Sequence, residues 1–385
     1  KIIIINSIKE ILYGLTQKAK IRSLISSSEI KVITLTVTEK GYYFDTNKKL
    51  SNSKEILNDF KDEKLLTVIG HLSFGLIDRY KKNKEKITIL SCDNLSENGS
   101  ILKNLIIQFI TKINPESIAW IEKNVDFPLT MVDGIVPNND ISADYFNLPY
   151  YDNALVVTEP YRQWYIQSTS KYLKSILCHQ QIHFVNDIKF YENIKLKILN
   201  ASHSALAYIG HLLGYKYVHE AINDTICYNF ISNFLDKEVI PTLDVKNNFD
   251  INEFKNIVLD RFKNTFIQDK LLRIAIDGSY KIPIRIIETY KNNNNNTDHI
   301  DLIITAWLMF VEERLSISHL ELNDPNNELF MKFYNEDKNS YIQKILKLKN
   351  IFNITDDQRE KLLIKILNNV KYIKQNSLKK LIEQI

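Results

Sequence analysis

The segment Tyr191-Glu-Asn-Ile-Lys-Leu-Lys-Ile-Leu-Asn-Ala-Ser-His203 sets an acid, an amine, an amide and an imidazole within one short stretch. On a helix turning about 100° per residue, with Lys195 at zero, Glu192 falls at about 60°, His203 at about 80° and Asn200 at about 140°. All four then share one arc. This set suits oxidation of a secondary alcohol. As hydride leaves the carbinol carbon, the hydroxyl proton must pass to a base, and a partly desolvated lysine has its pKa drawn towards neutrality. The developing alkoxide needs donors already in place, which an asparagine amide and a histidine ring N–H supply. Glu192, one turn before Lys195, would pass the proton on to water. The small residues Ala201, Ser202, Ser204, Ala205 and Ala207 follow and would let another backbone approach closely. The same lysine–glutamate spacing also describes an amphipathic helix with a solvated polar face. The Asn and His inside the otherwise apolar ILNASHSALAYIG weigh against that reading.

Two other chemistries use some of the same residue types. Tyr191-x-x-x-Lys195 fits the tyrosine–lysine pair of short-chain dehydrogenases, but that reading expects a serine at position 178, where Cys178 stands. It also expects a single α/β domain, whereas a long helical region follows. A zinc site needs clustered Cys, His and Glu. The eight histidines are dispersed, and His179 with His183 has no third partner nearby in the sequence.

The elements that must position these groups change character along the chain. Lys31 to Thr38 (KVITLTVT) and Lys86 to Cys92 (KITILSC) read as buried strands, Asn153 to Thr158 (NALVVT) as a third, and Ile182 to Val185 as a short one. Between them, Leu66 to Tyr80 has helical spacing, and a turn at Asn98-Gly99 leads to a helix from Ile101 to Ile113. Alternating strands and helices imply a mostly parallel, doubly wound sheet. From Asp187 onward the spacing is helical almost throughout: Tyr191 to Leu213, Val218 to Asp236, Ile251 to Phe266, Ile300 to Glu312 and the segments after Tyr341. Thr355-Asp356-Asp357 reads as a helix start. The expected fold is an α/β domain over 1–186 and a mainly helical one over 187–385.

Composition bounds the function. The 385 residues carry a formal charge of +4, spread along the chain, which implies neither a nucleic-acid partner nor a membrane surface. No apolar run approaches the roughly 18–20 residues that span a bilayer, and the opening Lys-Ile-Ile-Ile-Ile-Asn is too short for a signal peptide. Cys92, Cys178 and Cys227 are few and widely spaced, which points to a reducing, cytoplasmic setting and no CxxC knuckle. Asn292 to Asn296 reads as a biased surface loop. The nine glycines contain no G-x-G-x-x-G turn. Either the fold binds no dinucleotide or its first βαβ unit is missing from this chain.

KLKILNASHSALAYIG resembles the K-x4-N-x2-H signature of the mannitol dehydrogenase family of long-chain polyol dehydrogenases, which includes fructuronate and related sugar-acid reductases. LTVTEKGYYFD (Leu35 to Asp45), SCDNLSENG (Ser91 to Gly99), DFPLTMVDGIVP (Asp126 to Pro137), EPYRQW (Glu159 to Trp164), GYKYVHEAIND (Gly214 to Asp224) and DGSYKIP (Asp277 to Pro283) resemble further motifs of that family, in order along the chain. The resemblance implies an incomplete Rossmann-like domain followed by a helical substrate domain. It implies an NAD- or NADP-dependent, metal-independent oxidoreductase for an open-chain polyol. D-mannitol and D-fructose are the expected pair, with D-mannonate and D-fructuronate, or a catalytically inactive remnant, as alternatives. Lys195 would be the general base, Asn200 with Asn94 the alkoxide-stabilising pair, His203 the group polarising the reacting oxygen and Glu192 the proton exit. Asp133, Arg273 and Lys281 would line the substrate pocket, and Thr38, Glu39, Ser91 and Cys92 in the strand-end motifs would face the cofactor. A carboxylate substrate would want a further cation, for which Lys281, Arg285 and Arg162 are candidates. Gly134 stands where the family usually has Arg after the Asp of its M-V-D segment. KIIIINSIKEIL resembles the part just after the family's second strand, which implies that the glycine-rich loop lies upstream.

Overall fold

Of the eight residues from Lys31 to Thr38, expected as a buried strand, β1 (Val32–Leu35) forms, with Leu35 buried and the other three at least partly exposed. It runs parallel to β2 (Ile87–Ser91), with Val32 opposite Thr88 and Leu35 opposite Ser91. Every residue of β2 is buried, as expected of a central strand covered on both faces. The computed structural model describes residues 2–45, 47–61, 65–136, 154–245, 249–293 and 297–385. Among these, the chain divides into two compact units, Lys1–Asp133 with Arg162–Glu192 and Gly134–Tyr161 with Asn193–Ile385.

In the first unit a two-residue strand, β3 (Val125–Asp126), completes a parallel sheet in the order β1-β2-β3. Helices α1 (Lys18–Ser26), α2 (Val68–Lys82) and α3 (Asn98–Ile113) surround a core that includes Ile69, Leu72, Ile89, Leu102 and Phe109. Arg79, fully buried on α2, fixes the strand entrances. Its guanidinium donates to the carbonyls of Ile25, Ser27, Ile30, Glu85 and Lys86, so all its fork positions are used. A second sheet holds β4 (Thr130–Asp133), antiparallel to β5 (Gln163–Gln167), which is parallel to β6 (Ile182–Val185).

Two expectations about the α/β half of the sequence change. The strand expected over Asn153 to Thr158 does not form in its described part, residues 154–158, and Val156 is 67% exposed. β-branched composition favours a pleated surface only where a neighbouring strand offers pairing. Here the Thr158 hydroxyl and the Glu159 N–H both donate to the Ile135 carbonyl instead. Asn98-Gly99 is not a turn but the first residues of α3. The Thr130 N–H donates to the Asn98 side-chain oxygen at 3.1 Å, and the Asn98 amide donates to the Thr130 carbonyl at 2.8 Å, tying α3 to β4. A Cβ on Gly99 would lie 2.4 Å from the Pro128 carbonyl oxygen.

The second unit is helical. The helix expected over Tyr191 to Leu213 forms as α4 (Ile188–Ile194), whose residues through Glu192 belong to the first unit, a π-turn (Lys195–Asn200) and α5 (Ala201–Leu212). Further on lie α6 (Thr225–Phe234), α7 (Ile251–Phe262), α8 (Leu271–Ala275), α9 (Gly278–Ile282), a π-turn (Pro283–Ile287), α10 (Asp298–Ser316) and α11 (Asp356–Gln375). α5 packs on α8 and α10, and its small residues Ala201, Ser204, Ala205 and Ala207 are buried. α11 starts where Thr355 predicts: the Thr355 hydroxyl accepts from Gln358 N–H, and the Gln358 side chain accepts from Thr355 N–H. The asparagine run falls partly at 294–296, outside the described residues. Among the described residues no helix is long and apolar enough to cross a membrane.

Candidate functional site

The π-turn alters the geometry that the sequence implies for Lys195, Asn200 and His203. Ala201 N–H reaches back five residues to the Leu196 carbonyl, so one extra residue is accommodated in the turn. Asn200 therefore comes round closer to the direction of Lys195 than a regular α-helix would bring it. Sequence carries no signal for this turn, because no proline or glycine lies within it. Lys195 is 9% exposed.

His203 follows on α5, and its ring stacks on Phe262 of α7 at 4.3 Å between centroids, with planes 21° apart. Its Nε2 is buried and has no hydrogen-bond partner. Burial drives its pKa well below the ordinary histidine value, and the nearby cations Arg285, Arg273, Arg261 and Lys281 push the same way. The ring is thus a neutral imidazole, able to donate through one nitrogen and accept through the other. Lys281 sits on α9, where Asp277 takes a left-handed backbone (φ 56°) and Gly278 lies so close to Trp307 that a Cβ would come 2.4 Å from the indole nitrogen. This explains the Asp-Gly of DGSYKIP: the helix must start hard against Trp307. The Lys281 amine donates to the Ile274 carbonyl at 3.1 Å, and burial, together with the Arg285 charge, lowers its pKa from 10.5 to about 8. Arg273 on α8 is held by Asp269 through two bonds of 2.7 and 2.6 Å. Within the second unit Arg273 and Lys281 thus lie near enough to His203 to act on its charge, and Lys195 and Asn200 sit on the π-turn that leads into its helix.

Behind them lie residues whose part the sequence does not reveal. Glu159, of the EPYRQW motif, is buried against Arg261 of α7 through contacts of 2.7 to 3.2 Å, and Tyr161 lies under the guanidinium at 4.1 Å. The pair anchors the stretch of α7 that ends in Phe262, the surface on which His203 rests. Arg285 donates to the Asn200 carbonyl at 3.2 Å and the Ser204 hydroxyl at 3.0 Å. The spacing of DGSYKIPIR contains both Lys281 and Arg285 but does not say which faces a ligand.

The remaining candidates belong to the first unit. Thr38 and Glu39 follow β1, and Ser91, Cys92 and Asn94 lie at or after the end of β2, so all five stand at the carboxyl edge of the parallel sheet. That edge is where open α/β sheets bind ligands. Asp93 organises it, accepting from Val37 N–H at 3.0 Å, Thr38 N–H at 2.8 Å and the Tyr42 hydroxyl at 2.7 Å. Ser91 is fully buried and its hydroxyl is engaged by Tyr42 at 2.5 Å, so it acts inside the protein. Thr38, Glu39 and Cys92 remain at least partly exposed. Burial raises the Cys92 thiol pKa to about 11, with Asp93 adding to the effect, so the thiol is uncharged at neutral pH. Asn94 is exposed. Glu192 accepts from the Ser96 hydroxyl at 3.3 Å, two residues beyond Asn94. Asp133 ends β4 and is 4% exposed. An apolar recess of about 550 Å³ near Ile25, Leu35, Leu65 and His71 contains none of the candidate residues. Among the described residues no group of three or more His, Cys, Asp or Glu is placed to hold a metal ion.

Comparison with known proteins gives a consistent assignment. The profile of the mannitol dehydrogenase Rossmann domain matches residues 1–176, and that of the mannitol dehydrogenase C-terminal domain matches residues 187–374. A mannitol dehydrogenase of Saccharomyces cerevisiae is 35% identical over 321 residues, which are 80% of this chain and 64% of that protein. The D-mannonate oxidoreductase of Escherichia coli is 30% identical over 319 residues, 80% of this chain and 66% of that protein. The structure of Pseudomonas fluorescens mannitol 2-dehydrogenase, a ternary complex with NAD and D-mannitol, superposes with a TM-score of 0.73 at 27% identity, covering 95% of this chain and 76% of that one. The chain thus spans somewhat under two thirds of the length of the yeast relative. Two profiles of one family, end to end, and a shared fold together establish that this chain belongs to the mannitol dehydrogenase family.

Proposed function

We propose that this chain is an NAD(P)-dependent oxidoreductase that interconverts a secondary alcohol of an open-chain polyol and the corresponding ketose, with D-mannitol and D-fructose as the pair. The observation that carries the reading is the buried, neutral His203 beside the Lys195–Asn200 turn, with its Nε2 unpartnered and cations around it. A buried polar atom without a partner is costly unless a ligand supplies one.

When bound, NAD(P) supplies the hydride acceptor for alcohol oxidation. Lys195 takes the hydroxyl proton at its Nζ, and Glu192 returns it to water. The Asn200 amide and a His203 ring N–H meet the oxygen as its charge grows, and the family resemblance gives the Asn94 amide the same role. Because base and donors are side chains, the reaction needs no metal. Asp133, Arg273 and Lys281 bind the remaining substrate hydroxyls, and Thr38, Glu39 and Cys92 contact the dinucleotide. We place the domain boundary near Asp187, in keeping with the limits of the two profile matches, and the protein in the cytoplasm with small-molecule partners alone.

A second reading rests on the cations near His203. Lys281 and Arg273 would suit a substrate carboxylate, which favours D-mannonate and D-fructuronate. The test is consumption of NADH and NADPH by the full chain with fructose and with fructuronate. Preference for fructose supports the polyol reading, and preference for fructuronate supports the sugar-acid reading. A folded chain that turns over neither contradicts both.

A further inference from the structure

We propose that Lys197 and Arg285 are positioning residues for the catalytic turn, each a cation on one π-turn that holds a carbonyl of the other. The inference rests on the proposed roles of Lys195 and Asn200. The Lys197 amine, on the Lys195–Asn200 turn, donates to the Ile284 carbonyl at 3.1 Å. Arg285, on the Pro283–Ile287 turn, donates to the Asn200 carbonyl at 3.2 Å and to the Ser204 hydroxyl at 3.0 Å. The exchange is reciprocal.

Each turn needs the other for a physical reason. A π-turn departs from the regular ladder of helical hydrogen bonds, and a donor from another segment ties its backbone in place. The second turn opens on Pro283, which has no N–H to give to the preceding helix. The first turn contains no such breaker, so its shape is imposed from outside, and the Arg285 bond lies on its last carbonyl. Lys197 is 7% exposed, and Arg285 Nε is buried without a partner. The bonds that the two cations donate end on carbonyl and hydroxyl oxygens, which carry no compensating charge. Burial lowers the Lys197 pKa to about 8, opposed by Glu288 and assisted by Lys291, and burial lowers that of Arg285 to about 10. Apolar side chains of similar length would fill the same space without this desolvation cost. What the cations add is direction: they fix the peptide plane at Asn200, and with it the aim of the Asn200 amide and of Lys195.

The test uses the full chain with Lys197→Met and Arg285→Met, alongside Lys197→Arg. Circular dichroism first confirms folding, and a methionine variant that does not fold is replaced by Lys197→Gln or Arg285→Lys. The expected result is a kcat lower by roughly tenfold to a hundredfold with KM within about twofold, because a small misalignment of reacting groups costs turnover more than binding. Lys197→Arg should recover most of it. Amide exchange, followed by mass spectrometry, should speed up in peptides covering 195–205 and stay unchanged in 298–316. A kcat within about twofold of the parent, or a loss carried by KM, overturns the proposal. If the parent turns over no ketose, the functional reading fails separately and exchange alone decides. Unchanged exchange over 195–205 then overturns the latch, and faster exchange reversed by Lys197→Arg supports it.

Discussion

Replacing Arg261 by methionine should destabilise the helical unit by about 3–5 kcal/mol, because it strands a buried carboxylate. Glu159 and Arg261 have side chains only 2% and 5% exposed, and three nitrogen–oxygen contacts of 2.7, 3.0 and 3.2 Å join them. Without the guanidinium, Glu159 keeps a hydrogen bond from Ile135 N–H at 2.6 Å, too little to offset a buried negative charge. Glu159→Gln should cost a similar amount by leaving the cation unbalanced. The double variant Glu159→Gln/Arg261→Met removes both charges and should recover about 2 kcal/mol or more relative to the sum of the singles. The assay is urea unfolding followed by Trp307 fluorescence, in a background carrying Trp120→Phe and Trp164→Phe. Trp307 is buried in the second unit and reports it selectively. Single variants within about 1 kcal/mol of the parent, or a double variant as unstable as the sum, would refute the reasoning. Because Phe262 adjoins Arg261 and carries His203, the same singles should also lower kcat.

Two pH effects follow from buried groups. Lys281, with its pKa brought down to about 8, loses its cation as pH rises through that value, so KM for the ketose should climb above pH 8. Lys281→Arg should flatten that rise, and an unchanged profile would remove Lys281 from substrate binding. Asp301 is raised by burial to about 7, against an opposing hydrogen bond from Thr297 and with the Glu238 charge adding to the rise. The folded chain therefore holds a proton that the unfolded chain has already released, and stability falls as pH climbs from the unfolded value of about 4 towards 7. Asp301→Asn should stabilise the protein at pH 8 by up to about 4 kcal/mol and change little at pH 4. Equal shifts at both pH values in urea unfolding would count against this.

The parallel strands and the long helices were legible because each is set by its own residues. KVITLTVT and KITILSC are rich in β-branched residues, and Thr355 caps α11 through local bonds. The misreadings arise where distant partners decide. Asn153 to Thr158 has strand composition, but its described part bonds to Ile135 and pairs with no strand, while the third parallel strand has only two residues, Val125 and Asp126. Asn98-Gly99 looks like a turn, yet the bonds to Thr130 and the closeness of the Pro128 carbonyl make it a helix start. The chemistry-bearing residues were legible from type and spacing, but their directions were not. The turn that opens at Lys195 ends at Asn200, whose carbonyl accepts from Arg285, 85 positions further on, and the neutrality of His203 depends on burial and on cations from four other segments.

The central claim is that Lys195 is the base of a ketose–polyol oxidoreductase. Its most direct test is the rate of NADH and NADPH oxidation with fructose and fructuronate, between pH 6 and 9, by the full chain and by Lys195→Ala. The account predicts turnover by the parent with one ketose, and a loss of roughly 10²–10⁴-fold in kcat for Lys195→Ala while its fold is kept. A Lys195→Ala protein within about threefold of the parent, or a folded parent that oxidises neither cofactor, would contradict it.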